Sequence, residues 1–240
     1  MTAGFPDIAP LGDSALIVRV RDKFEDAPDE TLNDVLRILH QIKDADIPGV
    51  IELAPAYTSV AVFFDPIRVI RAGAKPEQII DWLGERIAVA VGKRGKRKQK
   101  DQTACVTEIP VCYDPNFALD LDHVAEHAHV SAAEVIELYS APEYRVSCIG
   151  FTPGFPFLSG LDKKIATPRR DTPRKEIPAG SVGIGGAQTG VYPLRSPGGW
   201  NIIGRTPLAL FDPAKSPPAL LQAGDRVRFR SITREEFDAI

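Results

Sequence analysis

The chain is expected to be an α+β protein of two domains: a ferredoxin-like N-terminal layer at 1–92 and a domain of short strands at 104–240, joined by a basic linker at 93–103. Three observations predict this. Strand and helix patterns before residue 93 follow the order β-α-β-β-α. A run of cations without an apolar residue then breaks the chain. From Arg145 onward, short strand candidates alternate with Gly and Pro turns and no long helical pattern intervenes, which is the signature of a β-barrel or sandwich.

In the first part, "ALIVRVRD", "GVIELAP" and "TSVAVFFD" read as strands because their apolar residues alternate or run continuously. Leu32, Val35, Leu36, Leu39 and Ile42 form a helical stripe between the first two. Ile79, Leu83 and Ile87 form another, after a helix start marked by Pro76 and Glu77. The sheet is completed either by "CVTEIPVCY" beyond the linker or by a further edge strand. No nucleophile constellation falls here, so the expected role is packing and partner contact.

The linker gathers Lys93, Arg94, Lys96, Arg97, Lys98 and Lys100, whereas the part before it carries 15 acidic and 9 basic residues. Such a run is a solvated connection or, as the alternative, a docking strip for an acidic partner. Beyond it, "DLDHVAEHAHVSAAEVIELYSAP" predicts two short helices, the second with Ser131 as N-cap and Glu134 completing a capping box. His123, His127 and His129 raise the question of a metal. They come without an H-E-x-x-H pattern or a Cys ligand, and Leu121, Val124, Ala125 and Ala128 already supply the buried face, so no metal site is expected. Cys105, Cys112 and Cys148 lack C-x-x-C spacing and read as buried small hydrophobes.

Composition narrows the partners. A net charge of -3 and a pI near 5.9 give no overall cationic surface for nucleic acid or an anionic membrane. No apolar run has membrane-spanning length, "MTAGFPDIAP" lacks the features of a signal peptide, and a cytoplasmic location is expected.

Three segments of the second domain could carry chemistry. "GFTPGFPFLSGLD" sets Phe151, Phe155 and Phe157 among glycines and prolines, which predicts a shaped loop, neither helix nor regular strand, with Phe155 held forward by Pro156 as the most exposed ring. "ATPRRDTPRKEIPAG" holds Arg169, Arg170 and Arg174 on a proline-stiffened loop, suited to bidentate recognition of a small anion; the alternative is surface pairing with Asp171 and Glu176. "GSVGIGGAQTG" has Gln188 where a dinucleotide fingerprint needs its third glycine and Gly186 where a P-loop needs lysine, so it is neither.

"GFTPGFPFLSGLD", "TPRRDTPRKEIPAGSVGIGGAQTGVYPLRSPGGWNIIGRTPLALFDP" and "LLQAGDRVRFR", with "GDSALIVRV" and "APAYTSVAVFFDP" upstream, resemble the family of 5-oxoprolinase B subunits, also called KipI or allophanate hydrolase subunit 1. The resemblance implies a ferredoxin-like domain followed by a cyclophilin-like β-barrel. It also implies partners, a C subunit of the KipA type and an A subunit, and a likeness to the carboxyltransferase portion of urea amidolyase. The implied reaction is ATP-dependent opening of 5-oxoproline to glutamate, with ATP and Mg bound at the assembled complex rather than by this chain alone. The residues it points to are Phe155 as pocket wall, Arg170 and Arg174 as anion clamps, Gln188 as a neutral hydrogen-bonding group, and Asn201 and Arg205. Replacing either clamp by alanine is expected to weaken anion binding and leave folding intact. Tyr139 stands where the family picture has a histidine, and Tyr192 and Trp200 read as barrel core. The alternative function is a KipI-type regulator that binds and inhibits a sensor histidine kinase. Prolyl isomerase activity would rest on barrel analogy alone.

Overall fold

A computed structural model of the chain describes residues 7–24, 27–92 and 106–240. The run expected to be the linker, and Cys105, lie outside the described residues. The chain divides into two compact units, Met1–Lys100 and Asp101–Ile240.

The first unit contains β1 (Asp7–Pro10), β2 (Ala15–Arg19), α1 (Pro28–Asp44), β3 (Val50–Ala56), β4 (Ser59–Phe64), α2 (Pro66–Arg71) and α3 (Ile79–Gly92). Pro28 suits the first turn of α1, where its missing N–H costs no hydrogen bond, and Asp29 and Glu30 beside it and Lys43 in the last turn suit the backbone dipole. Its buried apolar face is Leu32, Val35, Ile38 and Ile42, with Ile38 taking the place expected of Leu36 and Leu39. These residues pack with Leu16, Val18, Val60, Val62 and Phe64 of the sheet and Leu83 and Ile87 of α3; each such side chain contributes about 2 kcal/mol when fully buried.

The four strands form an antiparallel sheet in the order β1-β2-β4-β3. The unit β2-α1-β3 is therefore split by β4, as the sequence suggested. The remaining edge belongs to β1, which the sequence reading did not resolve. "CVTEIPVCY" does not join this sheet. It supplies β5 (Val106–Cys112) of the second unit, where Val111 and Cys112 are buried.

That unit continues with α4 (Leu121–Ala128), α5 (Ala132–Ser140), β6 (Tyr144–Ile149), β7 (Pro156–Ser159), β8 (Arg174–Ile177), β9 (Ser181–Gly185), β10 (Gln188–Val191), β11 (Ser196–Gly198), β12 (Asn201–Arg205), β13 (Arg226–Ile232) and α6 (Arg234–Ala239). Seven strands close into a barrel in the order β10-β7-β6-β13-β5-β12-β9, and β8 pairs separately with β11. All barrel pairs are antiparallel except β13 with β5. Alternation along β13 sends Val227 and Phe229 into the barrel core, and it breaks at Ser231 before Ile232 is buried at the strand's end. Its arginines face out, where Arg226 pairs with Glu143 at 2.6 Å and Arg230 with Glu108 at 2.7 Å.

Several local expectations change. The aromatic run is not loop throughout, because Pro156–Ser159 is a barrel strand. The arginine loop ends in β8 at Arg174. "LALFD" is not a strand and makes one isolated bridge, Phe211 with Ala219. Ser131 Oγ accepts from the Glu134 amide at 3.2 Å, but Glu134 turns its carboxylate to Lys164 at 2.7 Å, leaving half of the expected capping box. His129 adopts the left-handed conformation that ends α4. Cys112 and Cys148 are buried and form no disulfide among the described residues. Among the described residues no helix is long and apolar enough to cross a membrane.

Candidate functional site

The loop entering β7 is pinned by its own backbone. Gly150 N–H donates to the Phe155 carbonyl at 3.1 Å, and Phe155 N–H to that of Thr152 at 3.1 Å. This tight fold places Phe151 at φ +65°, a left-handed conformation that a bulky L-residue resists. Phe151 is 62% exposed and Phe155 only 1%. The expectation for Phe155 is therefore reversed: β7 begins directly after it and draws its ring beneath the loop, so Phe151 is the ring presented outward.

Under Phe151 lies an aromatic cluster apart from the barrel core, made of Phe155, Ile177, Tyr192, Trp200 and Ile202 with Phe157 packed on it. Phe151 meets Phe155 edge-on at 5.5 Å, and Phe155 meets Tyr192 at 5.1 Å and Trp200 at 5.4 Å. The Gly-rich run explains how these rings fit. A Cβ on Gly185 would lie 2.5 Å from Trp200 Nε1, and one on Gly190 would lie 2.5 Å from the Pro156 carbonyl and 3.0 Å from Phe155. Those glycines are absences that rings occupy. Tyr192 and Trp200 are buried as expected, though in this cluster and not in the barrel interior. Burial pushes the Tyr192 phenol up to about 12, against the opposing effects of its hydrogen bond with the Trp200 backbone and the charges of Arg169 and Arg174.

Beside the cluster sits a charged centre that the sequence did not reveal. Asp120, at the start of α4, is buried and makes no cap bond with its side chain. Its Oδ1 accepts from Arg170 Nη1 at 2.6 Å and Arg174 Nη2 at 2.8 Å. Its Oδ2 accepts from Arg174 Nη1 at 2.7 Å and the Ile202 amide at 2.7 Å. Burial alone would raise the Asp120 carboxyl. The Arg174 hydrogen bond, the Ile202 amide and the two guanidinium charges outweigh it, and the pKa falls below its ordinary value. Arg170 and Arg174 are thus neither solvent decoration nor partners of Asp171 and Glu176; their side chains are 35% and 24% exposed.

The other candidates separate. Asn201 is fully buried, and its Nδ2 donates to the Pro168 carbonyl at 2.8 Å and that of Ile184 at 3.3 Å, so it is a strut between the arginine loop and β9 and not a surface ligand. Arg205, at the far end of β12, donates from Nε to the Ala179 carbonyl at 2.9 Å and lies 5.5 Å from the Phe117 ring. Gln188 is half-buried at the β9–β10 turn, paired with Gly185. Tyr139 belongs to the barrel core, with its hydroxyl 2.6 Å from Thr189 Oγ1; burial chiefly, and Tyr144 and Tyr113 after it, hold its pKa well above the ordinary value. The structure thus brings together Phe155, Arg170 and Arg174, adds Asp120 and Phe151, and places Asn201 behind them as support.

A closed seven-stranded barrel carrying this centre, preceded by a four-stranded α/β layer, defines a carboxyltransferase-type chain. The sequence matches the family model described as carboxyltransferase domain, subdomain C and D, over residues 6–221, and the chain belongs to that family. It is 43% identical over 239 residues to the 5-oxoprolinase B subunit of Bacillus subtilis (strain 168), covering 97% of this chain and 95% of that one. Against the 5-oxoprolinase B subunit of Escherichia coli O157:H7 it is 40% identical, over 91% and 93% of the two chains. The crystal structure of TTHA0988 superposes with a TM-score of 0.73 at 35% identity, covering 91% of this chain, which spans only 40% of the length of that one. The urea carboxylase of Kluyveromyces lactis, at 20% identity and a TM-score of 0.69, covers 97% of this chain and 22% of that one and shows the fold alone.

Proposed function

We propose that this chain is the B subunit of a 5-oxoprolinase, contributing part of a substrate site that subunits of the A and C types complete in the cytoplasm. The observation that carries this reading is the juxtaposition of the Arg170–Asp120–Arg174 centre with an aromatic cluster capped by exposed Phe151, in a chain that relatives of that name match over 97% and 91% of its length. Asp120 already accepts four hydrogen bonds, so it has no lone pair left to serve as a base. The arginines bind and orient an anion, and the rings exclude water. In fold terms we read the first unit as a ferredoxin-like layer whose last edge is supplied from its front, and the barrel as cyclophilin-like.

ATP with Mg belongs to this reading as a co-substrate of the assembled complex. The Gly-rich run gives phosphate little room: a Cβ on Gly185 would meet Trp200 and one on Gly190 the Pro156 carbonyl and the Phe155 ring, and within the run only Gly186 is open. A lactam amide is a poor electrophile, and the groups that activate it are assigned to the partners.

Co-purification with subunits of the A and C types, followed by glutamate release with each chain omitted in turn, tests the assignment. Release is expected only from the full set. Robust ATP-dependent glutamate production by the purified single chain would overturn the partner requirement. A silent full set would overturn the oxoprolinase reading and favour the regulatory alternative.

Phe151 gives a second test of the half-site. Phe151→Gly removes a strained left-handed residue together with the exposed ring. The isolated chain is expected to keep its stability to within about 1 kcal/mol, because strain relief offsets lost contacts. Affinity for the partner subunits is expected to fall by roughly tenfold, the scale of an aromatic interface anchor. Titration of the partner against chain of verified fold measures this, and unchanged affinity would remove Phe151 from the interface.

A further inference from the structure

We infer that Asp120 is a positioning residue that converts Arg170 and Arg174 into a site for one carboxylate, with the Nε/Nη2 edge of Arg170 as its receiving fork. The ligand's wider identity rests on the oxoprolinase reading, whereas the carboxylate preference rests on the geometry alone. Two guanidinium groups side by side carry two positive charges and by themselves would suit a phosphate dianion. Buried Asp120 lies between them and cancels one, leaving a net charge that matches a monoanion.

The hydrogen bonds are divided accordingly. Arg174 commits both Nη groups to Asp120, one on each carboxylate oxygen. Arg170 commits only Nη1. Its Nε is buried and has no partner among the described residues, and Nη2 donates to none of them. An Arg edge of this kind presents two parallel N–H groups that match a planar carboxylate, and a buried N–H without an acceptor favours whatever supplies one. The main-chain N–H of Arg170 donates to the Gly199 carbonyl at 2.8 Å, which fixes the residue's backbone beside β12.

The fork can be observed without turnover, through the ¹H–¹⁵N signals of arginine Nε in the full chain. With the wild-type chain, 5-oxoproline is expected to shift the Arg170 signal, while its neutral carboxamide does not and inorganic phosphate competes poorly. In Asp120→Asn the added net charge and the lost acceptors are expected to reduce the preference for carboxylate over phosphate by about tenfold or more. A purely structural role for Asp120 would lower the folded fraction without changing that ratio. Arg170→Lys keeps the charge and removes the fork, and is expected to weaken carboxylate binding by about tenfold. This variant carries the test if Asp120→Asn does not fold. The inference is overturned by an unchanged ratio in folded Asp120→Asn, by wild-type affinity in Arg170→Lys, or by no carboxylate-induced shift in either the free chain or the assembled complex. Failure of glutamate release with a carboxylate-selective shift intact would overturn only the oxoprolinase reading.

Discussion

Replacing Arg174 with alanine is expected to destabilise the barrel unit by about 3 kcal/mol, because it strips two hydrogen bonds from a buried carboxylate and leaves Asp120 with Arg170 and one amide. This reverses the expectation, drawn from sequence, that the substitution would leave folding intact. Urea melts of a Trp82→Phe background, in which Trp200 reports on the barrel unit alone, provide the measurement. If the loss comes from a stranded charge, Asp120→Ala on top of Arg174→Ala should cost less than Asp120→Ala alone, and simple additivity would reject that cause. The pH dependence has a definite sign. The folded pKa of Asp120 lies below its ordinary value of 3.8, so its contribution is fully present above that value and is lost as the pH falls through the folded pKa. The gap in stability between wild type and Arg174→Ala should therefore narrow in acid below that range.

Gly190→Ala is expected to lower stability by about 2–3 kcal/mol through overpacking, since the new methyl would press on the Pro156 carbonyl and the Phe155 ring and push β7 away from β10. Gly186→Ala is the control. Gly186 has φ +69° but nothing within 4 Å of a Cβ, so that substitution should cost only the backbone term of about 1–2 kcal/mol. Denaturation midpoints and the near-ultraviolet dichroism of the aromatic cluster separate the two. Equal losses with an unchanged aromatic signal would mean that ring packing does not set the requirement for glycine at 190.

Elements governed by neighbours in sequence were legible, and those governed by distant partners were not. The alternation in "DRVRFRSI" states which side of β13 faces the core, and the stripe from Leu32 to Ile42 marks α1, because in both cases the periodicity is itself the physical cause. Asp120 gave no such signal. It stands where many helices carry an N-cap aspartate, and its true partners lie 50 and 54 residues further on. The glycines of β9 and β10 were visible as a run, but the rings that require them come from Phe155 and Trp200. Phe151 and Phe155 could not be ranked from sequence either. Their exposure depends on where β7 begins, and no local rule favours a left-handed phenylalanine.

The placement of β13 has a consequence for how the chain is made. Barrel closure depends on a strand that follows both of its neighbours at a distance in the chain, because β13 inserts between β5 and β6, two strands translated long before it. Until it arrives, the barrel wall has a gap one strand wide, and the inner faces of β5 and β6 remain open to water. The first unit, complete in its own sheet and helices, can fold while the remainder is still being translated. The nascent barrel must wait, with its strand edges unpaired, for a contact of high sequence separation that is slow to form. That interval is when the chain is most exposed to aggregation and has most to gain from a chaperone holding β5 and β6 apart until β13 is released.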